Sequence, residues 1–213
     1  MVLENYMLLN SGSALGSGVG PLLIAKKIIA IRDNNCQVAI PGEYTTAHLL
    51  FNLAFPEITN KVFLRYDEIE DYVLRSEENN AGVIIHENRF TYQERGLTKL
   101  MDLGEYWQNK TGSAIPLGGI VAKRSLAIET RKKVDELIKQ SIHYSFSRYP
   151  ALSSYVTDHA VEMDEEIMRK HINLYVNEFS IDLGIVGKNA VSTLLDVYNR
   201  SHPSDIKFRD MYD

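Results

Sequence analysis

The first part of the chain, from Met1 to about Ile120, alternates short β-rich apolar runs with amphipathic stretches. This alternation is typical of strands that form a parallel sheet covered by helices, so it predicts an α/β fold. The predicted strands cover 6–9, 22–25, 37–40, 61–66, 82–86, 98–102 and 119–122. The predicted helices in this part of the chain cover 45–55 and 67–75.

The pattern changes after Leu126, where apolar residues recur at helical spacing. The first helix of this part should end at Tyr149, because a following proline disfavours the helical conformation of the residue before it. Further helices are predicted over 153–159, 164–176 and 188–199, with Asp164 as the N-cap of the second. The last third is therefore expected to be helical, and 201–213 to be a polar tail.

Composition narrows the class of protein. The 213 residues are 45% hydrophobic and 24% charged, as in ordinary globular proteins. A formal net charge of −5 without a basic block argues against nucleic acid as a partner, and the apolar runs are too short to cross a membrane. The single cysteine, Cys36, cannot close an intrachain disulfide, and no export signal is apparent, so we expect a cytoplasmic protein.

The segment 11–20 is dense in glycine and connects two predicted strands. The spacing of Gly16, Gly18 and Gly20 breaks the dinucleotide-binding pattern, and no Gly-Lys-Ser/Thr follows to complete a phosphate-binding loop. We therefore interpret the segment as a flexible crossover between two lobes rather than as a nucleotide site.

Two threonines, Thr45 and Thr46, follow Pro41 and Gly42 at a predicted strand-to-helix junction. The free backbone N–H groups and the dipole of a helix N-terminus favour an anion such as a carboxylate. The same threonines would equally serve as N-caps of the helix. The pattern leaves both interpretations open.

A buried-looking strand ends at His86, where a catalytic group is expected in an open α/β sheet. The imidazole could act as a general base, or it could be a structural histidine held by hydrogen bonds. Glu87 and Arg89, which follow, are interpreted as surface or ion-pair residues. The remaining histidines lack metal-binding spacing, and the chain has no Gly-x-Ser-x-Gly element, so a metal site and a serine hydrolase are not indicated.

Several of these segments together resemble the 1,4-dihydroxy-6-naphthoate synthases, lyases of the futalosine route to menaquinone. The segments that carry the resemblance occur in the same order along the chain, and the similarity runs from about Tyr6 to about Tyr198. They are 13–21, 41–46, 85–92, 102–107, 116–119 and 175–180.

The resemblance implies a two-lobed fold like that of type II periplasmic binding proteins. We expect residues 1–18 and 123–213 to form the first lobe and 19–122 the second, with the substrate held in the cleft. The implied reaction converts cyclic de-hypoxanthine futalosine, an anionic small molecule, to 1,4-dihydroxy-6-naphthoate and dihydroxyacetone, without a metal or redox cofactor. His86 would be the proton acceptor, and Thr45 and Thr46 would contact the substrate.

The chain departs from this family at its N-terminus, where a segment of several tens of residues is absent. We therefore expect an incomplete first lobe with an exposed strand edge, which is compatible with a homodimer. Two alternatives stay open. One is an enzyme like chorismate dehydratase, of the same fold and pathway, which should lack the features seen at Thr45, Thr46 and His86. The other is a non-catalytic small-molecule-binding module, which would need an export signal or an attached DNA-binding helix.

Overall fold

A computed structural model describes residues 2–32, 36–76, 79–160, 164–201 and 211–212. The chain divides into two units, one made of Ser17–Gly112 and the other of Met1–Gly16 with Ser113–Asp213. Most of the polar tail predicted over 201–213 lies outside the described residues.

The described strands are β1 (Tyr6–Leu8), β2 (Ala14–Gly16), β3 (Leu22–Ala25), β4 (Val38–Ile40), β5 (Lys61–Phe63), β6 (Ala81–Ile84), β7 (Thr98–Asp102), β8 (Ile115–Gly118) and β9 (Val121–Lys123). The described helices are α1 (Val2–Asn5), α2 (Thr46–Ala54), α3 (Ile69–Arg75), α4 (Asn88–Thr91), α5 (Leu103–Thr111), α6 (Ile128–Arg148), α7 (Ser154–His159), α8 (Glu165–Tyr175), α9 (Glu178–Ile181) and α10 (Gly184–Ser201). A 3-10 turn, Tyr66–Glu68, precedes α3.

The unit 17–112 contains a five-stranded sheet with the order β5-β4-β6-β3-β7. Strand β4 runs parallel to β5 and β6, whereas β3 is antiparallel to both of its neighbours, β6 and β7. The sheet is therefore mixed, and the sequence prediction of a parallel sheet is wrong for β3. A buried strand shows the same apolar run in either direction, so the residues of β3 do not encode its orientation.

Close packing between α3 and β6 depends on a glycine in the strand. A Cβ on Gly82 would lie 2.6 Å from Cγ2 of Ile69 and 2.8 Å from Cγ2 of Val73. Ile69 and Val73 have no exposed surface and belong to the core cluster that includes Leu22 and Ile84. In the same unit α2 contacts α5, whose Trp107 is fully buried.

The unit formed by 1–16 and 113–213 contains two antiparallel pairs of strands, β1 with β9 and β2 with β8. Sequence analysis missed β2, which lies inside the glycine-dense segment, and β8, and it predicted one strand over 119–122. These pairings hold residues 113–122 in this unit, although sequence analysis had assigned them to the second lobe.

Helices dominate the rest of this unit, as predicted. Helix α6 ends at Arg148, just before Tyr149, and α8 begins after Asp164, whose carboxylate accepts hydrogen bonds from the N–H groups of Glu166 and Ile167. The capping prediction for Asp164 is confirmed. None of the described helices combines the length and the apolar character that crossing a bilayer requires.

Candidate functional site

One edge of the five-stranded sheet gathers the ends of several strands. Strands β4 and β6 are parallel neighbours, and β7 runs in the direction of β6 because both are antiparallel to β3. The start of β3 meets the same edge, since Leu22 pairs with Ile84 and with Asp102. Ligands of open α/β sheets bind beyond the carboxyl ends of strands, so this edge is the candidate site.

The two threonines lie where the loop after β4 enters α2. The Thr45 hydroxyl donates to the carbonyl of Gly42 at 2.9 Å and accepts a hydrogen bond from the N–H of His48 at 3.2 Å. Thr45 is therefore the N-cap of α2, as the capping interpretation predicted. Thr46 is the first residue of the helix, and its hydroxyl makes no hydrogen bond to any described residue. Thr46 is the threonine whose hydroxyl is available to a ligand.

A ladder of hydrogen-bonded side chains, made of His48, Asn52 and Lys61, connects this loop to α2. Nδ1 of His48 lies 2.7 Å from the carbonyl oxygen of Glu43, and Nε2 lies 3.0 Å from Nδ2 of Asn52. Both contacts are hydrogen bonds when Nδ1 carries the proton and Nε2 accepts. Lys61 donates to the amide oxygen of Asn52, and burial lowers the pKa of Lys61. Sequence reasoning missed this ladder, although His48 and Asn52 have the spacing of neighbours on a helix.

His86 lies two residues beyond the end of β6, rather than inside the strand as predicted. Its backbone φ of 58° is left-handed, which is rare for a residue other than glycine. The side chain is exposed, and the ring of Tyr66 meets it edge-on with centroids 5.1 Å apart. Tyr66 follows β5 and was placed at a strand end by the sequence, but it was not identified as a site residue.

A buried ion pair holds the segment that follows His86. Nη2 of Arg89 lies 2.8 Å from Oδ2 of Asp102, and the two side chains are 13% and 5% exposed. Arg89 also donates to the carbonyl of Gly20, and Oδ1 of Asp102 accepts from the N–H of Gly104 at 2.9 Å, which caps α5. The ion-pair interpretation of Arg89 is therefore confirmed.

The site thus brings His86 and the Thr45–Thr46 pair to one sheet edge, because the strands before them are adjacent and parallel. Among the residues that the structure describes, no group of three histidine, cysteine or acidic side chains could hold a metal ion. A groove of about 500 Å³ lies elsewhere, along β7, and its lining includes Ile28, Phe55 and Leu100 but neither Thr46 nor His86.

Comparisons with known proteins show to which family the chain belongs. The sequence model described as menaquinone biosynthesis matches residues 1–200. A 1,4-dihydroxy-6-naphthoate synthase of Thermus thermophilus is 39% identical over 193 residues, which are 91% of this chain and 70% of that protein. The enzyme of the same name from Streptomyces coelicolor is 41% identical over 200 residues, with the same shares covered.

Solved structures agree with the fold. A protein from Archaeoglobus fulgidus superposes with a TM-score of 0.85 at 28% identity, over 94% of this chain and 75% of that one. The ligand-binding component of an ABC-type import system from Staphylococcus aureus superposes with a TM-score of 0.66 at 11% identity, over 98% of this chain and 72% of that one. The second likeness shows the fold alone, which is that of periplasmic-binding-protein-like substrate-binding proteins, as the sequence predicted. Taken with the match over residues 1–200, these findings establish that the chain belongs to the menaquinone biosynthesis family.

Proposed function

We propose that this protein is a 1,4-dihydroxy-6-naphthoate synthase, a carbon–carbon lyase that converts cyclic de-hypoxanthine futalosine to 1,4-dihydroxy-6-naphthoate and dihydroxyacetone. The names of the two curated relatives support this activity. The observation that carries the proposal is that His86 and the N-terminus of α2 follow strands β6 and β4, which are parallel neighbours and end at the same sheet edge.

In the proposed reaction His86 is the proton acceptor. Its exposed imidazole can reach a bound molecule, and a neutral imidazole accepts protons near pH 7. Loss of a proton from the substrate lets a carbon–carbon bond break while the remaining ring becomes aromatic. The atoms of the substrate are divided between the two products, so the reaction needs no external oxidant or reductant.

The start of α2 supplies the proposed anion contact. The helix spans nine residues, and its first N–H groups have no partner within the helix. The positive end of the helix dipole and the Thr46 hydroxyl would both favour the carboxylate of the substrate. Thr45 would contribute by capping the helix and holding the loop, with any direct contact to the substrate remaining a prediction. The cytoplasmic location and the homodimer expected from the sequence also stay predictions.

The test is direct turnover. Purified 213-residue chain is incubated with cyclic de-hypoxanthine futalosine, and naphthoate and dihydroxyacetone are followed by chromatography and mass spectrometry. Equal amounts of the two products, formed by the wild-type chain and lost in His86→Asn, would support the proposal. Chorismate in a parallel incubation covers the dehydratase alternative. Consumption of chorismate alone, or substrate binding with no turnover of either compound, would overturn the assignment.

A further inference from the structure

We propose that Arg89 is a positioning residue, which holds His86 in its left-handed backbone conformation and so sets the direction of the imidazole. The catalytic consequence of this inference rests on the proposed function of His86. Arg89 itself is largely covered by the structure around it and is not proposed to touch the substrate.

The first observation is the place of Arg89 in the chain. It lies three residues after His86 in α4, a helix of only four residues. A single helical turn has little stability of its own in water, so its position depends on side-chain anchors. The backbone N–H of Arg89 also faces the carbonyl of His86, with N and O 3.4 Å apart. Movement of Arg89 would therefore be transmitted to His86 directly.

The second observation is that Asp102, the partner of Arg89, is itself held by hydrogen bonds. Oδ1 of Asp102 is held by the N–H groups of Gly104 and Glu105 at the start of α5, while Oδ2 faces Arg89. The guanidinium also donates a hydrogen bond to the carbonyl of Gly20, in the loop before β3. The planar fork of arginine can serve these two acceptors at once, whereas the single ammonium of lysine cannot reproduce that geometry.

The third observation is the conformation that has to be held. His86 has a φ of 58°, and an L-residue with a side chain is strained there. Strained backbone persists only where the surrounding structure determines it, and such positions cluster at functional sites. The side chain of Arg89 joins the segment that contains His86 to the loop before β3 and to the end of β7, which fixes that segment at two points.

The test uses Arg89→Lys, which keeps the charge but not the fork. The chain is labelled with ¹³C and ¹⁵N at histidine, and the backbone chemical shifts of His86 report whether φ is positive. The shifts of His86 should move in the variant while those of His48 and His143 stay unchanged. In turnover assays kcat should fall at least tenfold, while KM stays within about twofold of the wild-type value. A tenfold fall in kcat corresponds to an increase of about 1.4 kcal/mol in the activation free energy.

Two further variants keep the test decisive. Asp102→Asn retains an oxygen to cap α5 but loses the charge opposite Arg89, so it should reproduce the shift of His86 if Arg89→Lys does not fold. Ile69→Val, a core change in α3, controls for lost stability alone and should leave kcat unchanged. Unmoved His86 shifts in folded Arg89→Lys would overturn the inference. If the wild-type chain shows no turnover, moved His86 shifts in Arg89→Lys would uphold the positioning role while the proposed function is refuted.

Discussion

Gly20 and Gly104 bring two stretches of backbone into direct contact. A Cβ on Gly104 would lie 2.4 Å from the backbone nitrogen of Gly20, and a Cβ on Gly20 would lie 2.7 Å from Cα of Gly104. The loop that enters β3 therefore packs on the first turn of α5, next to the cap that Asp102 provides. The contact explains why the glycine-dense segment needs a glycine at its end, apart from any flexibility.

This contact predicts that Gly104→Ala destabilises the protein. The new methyl would meet backbone atoms, which cannot rotate away, so we expect the free energy of unfolding to fall by about 1–3 kcal/mol. The measurement is urea unfolding followed by circular dichroism. Gly118→Ala is the matched control, because a Cβ there meets nothing within 4 Å. Equal midpoints for the two variants would contradict the packing described for Gly104.

Replacement of His86 should separate chemistry from binding. We expect His86→Asn to lower kcat by at least about 100-fold, because general base catalysis contributes that much or more. Substrate affinity, measured by calorimetry, should change little. The control is His143→Asn, since His143 is exposed on α6. Full turnover by His86→Asn would rule out its role as the base.

The two threonines should behave differently. Thr45→Val removes the N-cap, so the free energy of unfolding should fall by about 1 kcal/mol. Thr46→Val removes a hydroxyl that binds no described residue, so stability should be retained. A lost hydrogen bond to a charged ligand group is worth about 1.5–3 kcal/mol, so KM should rise at least about tenfold. An unchanged KM would show that the Thr46 hydroxyl does not contact the substrate.

Arg95 holds the far end of the segment that contains His86. Its Nη1 lies 2.7 Å from Oε2 of Glu70, a carboxylate that is only 2% exposed. Arg95→Ala would leave this buried carboxylate without its cation, which is strongly destabilising where both partners are buried. Because Arg95 itself is 38% exposed, we expect a smaller effect, a loss of about 2 kcal/mol in unfolding free energy. Arg75→Ala, which removes an exposed pair with Asp71, should leave the unfolding free energy almost unchanged. Equal losses in the two variants would contradict the role of burial.

The same arginine predicts a dependence on pH. The hydrogen bond from Arg95 and its charge hold the pKa of Asp71 below its ordinary value of 3.8. A lowered carboxyl pKa contributes stability above 3.8, and that contribution is lost as the pH falls through the folded-state pKa. The difference in unfolding free energy between wild type and Arg95→Ala should therefore stay constant from about pH 7 to about pH 5 and shrink as the pH is lowered further towards about 2. A difference that stays constant below about pH 5 as well would argue against the pairing.

Local patterns determined much of the secondary structure. The capping residue Asp164, the proline after Tyr149 and the apolar run of β3 act through neighbours within a few positions, so the sequence alone predicted α8, the end of α6 and the bounds of β3. Short strands were harder to predict from the sequence. Strands β2 and β8 are three and four residues long, and each is stabilised by the other from about 100 positions away in the chain, so no local pattern marks them.

For the candidate site, too, local sequence decides one part and tertiary structure decides another. The sequence predicted which residues carry chemistry: His86 after an apolar strand, and Thr45 and Thr46 at a helix start. Tertiary structure decided that β4 and β6 are parallel neighbours, which places those loops at one edge, and it decided that Arg89 meets Asp102 and Gly20. The physical reason is that strand pairing and buried ion pairs depend on the whole packed unit, whereas caps and apolar runs depend only on adjacent residues.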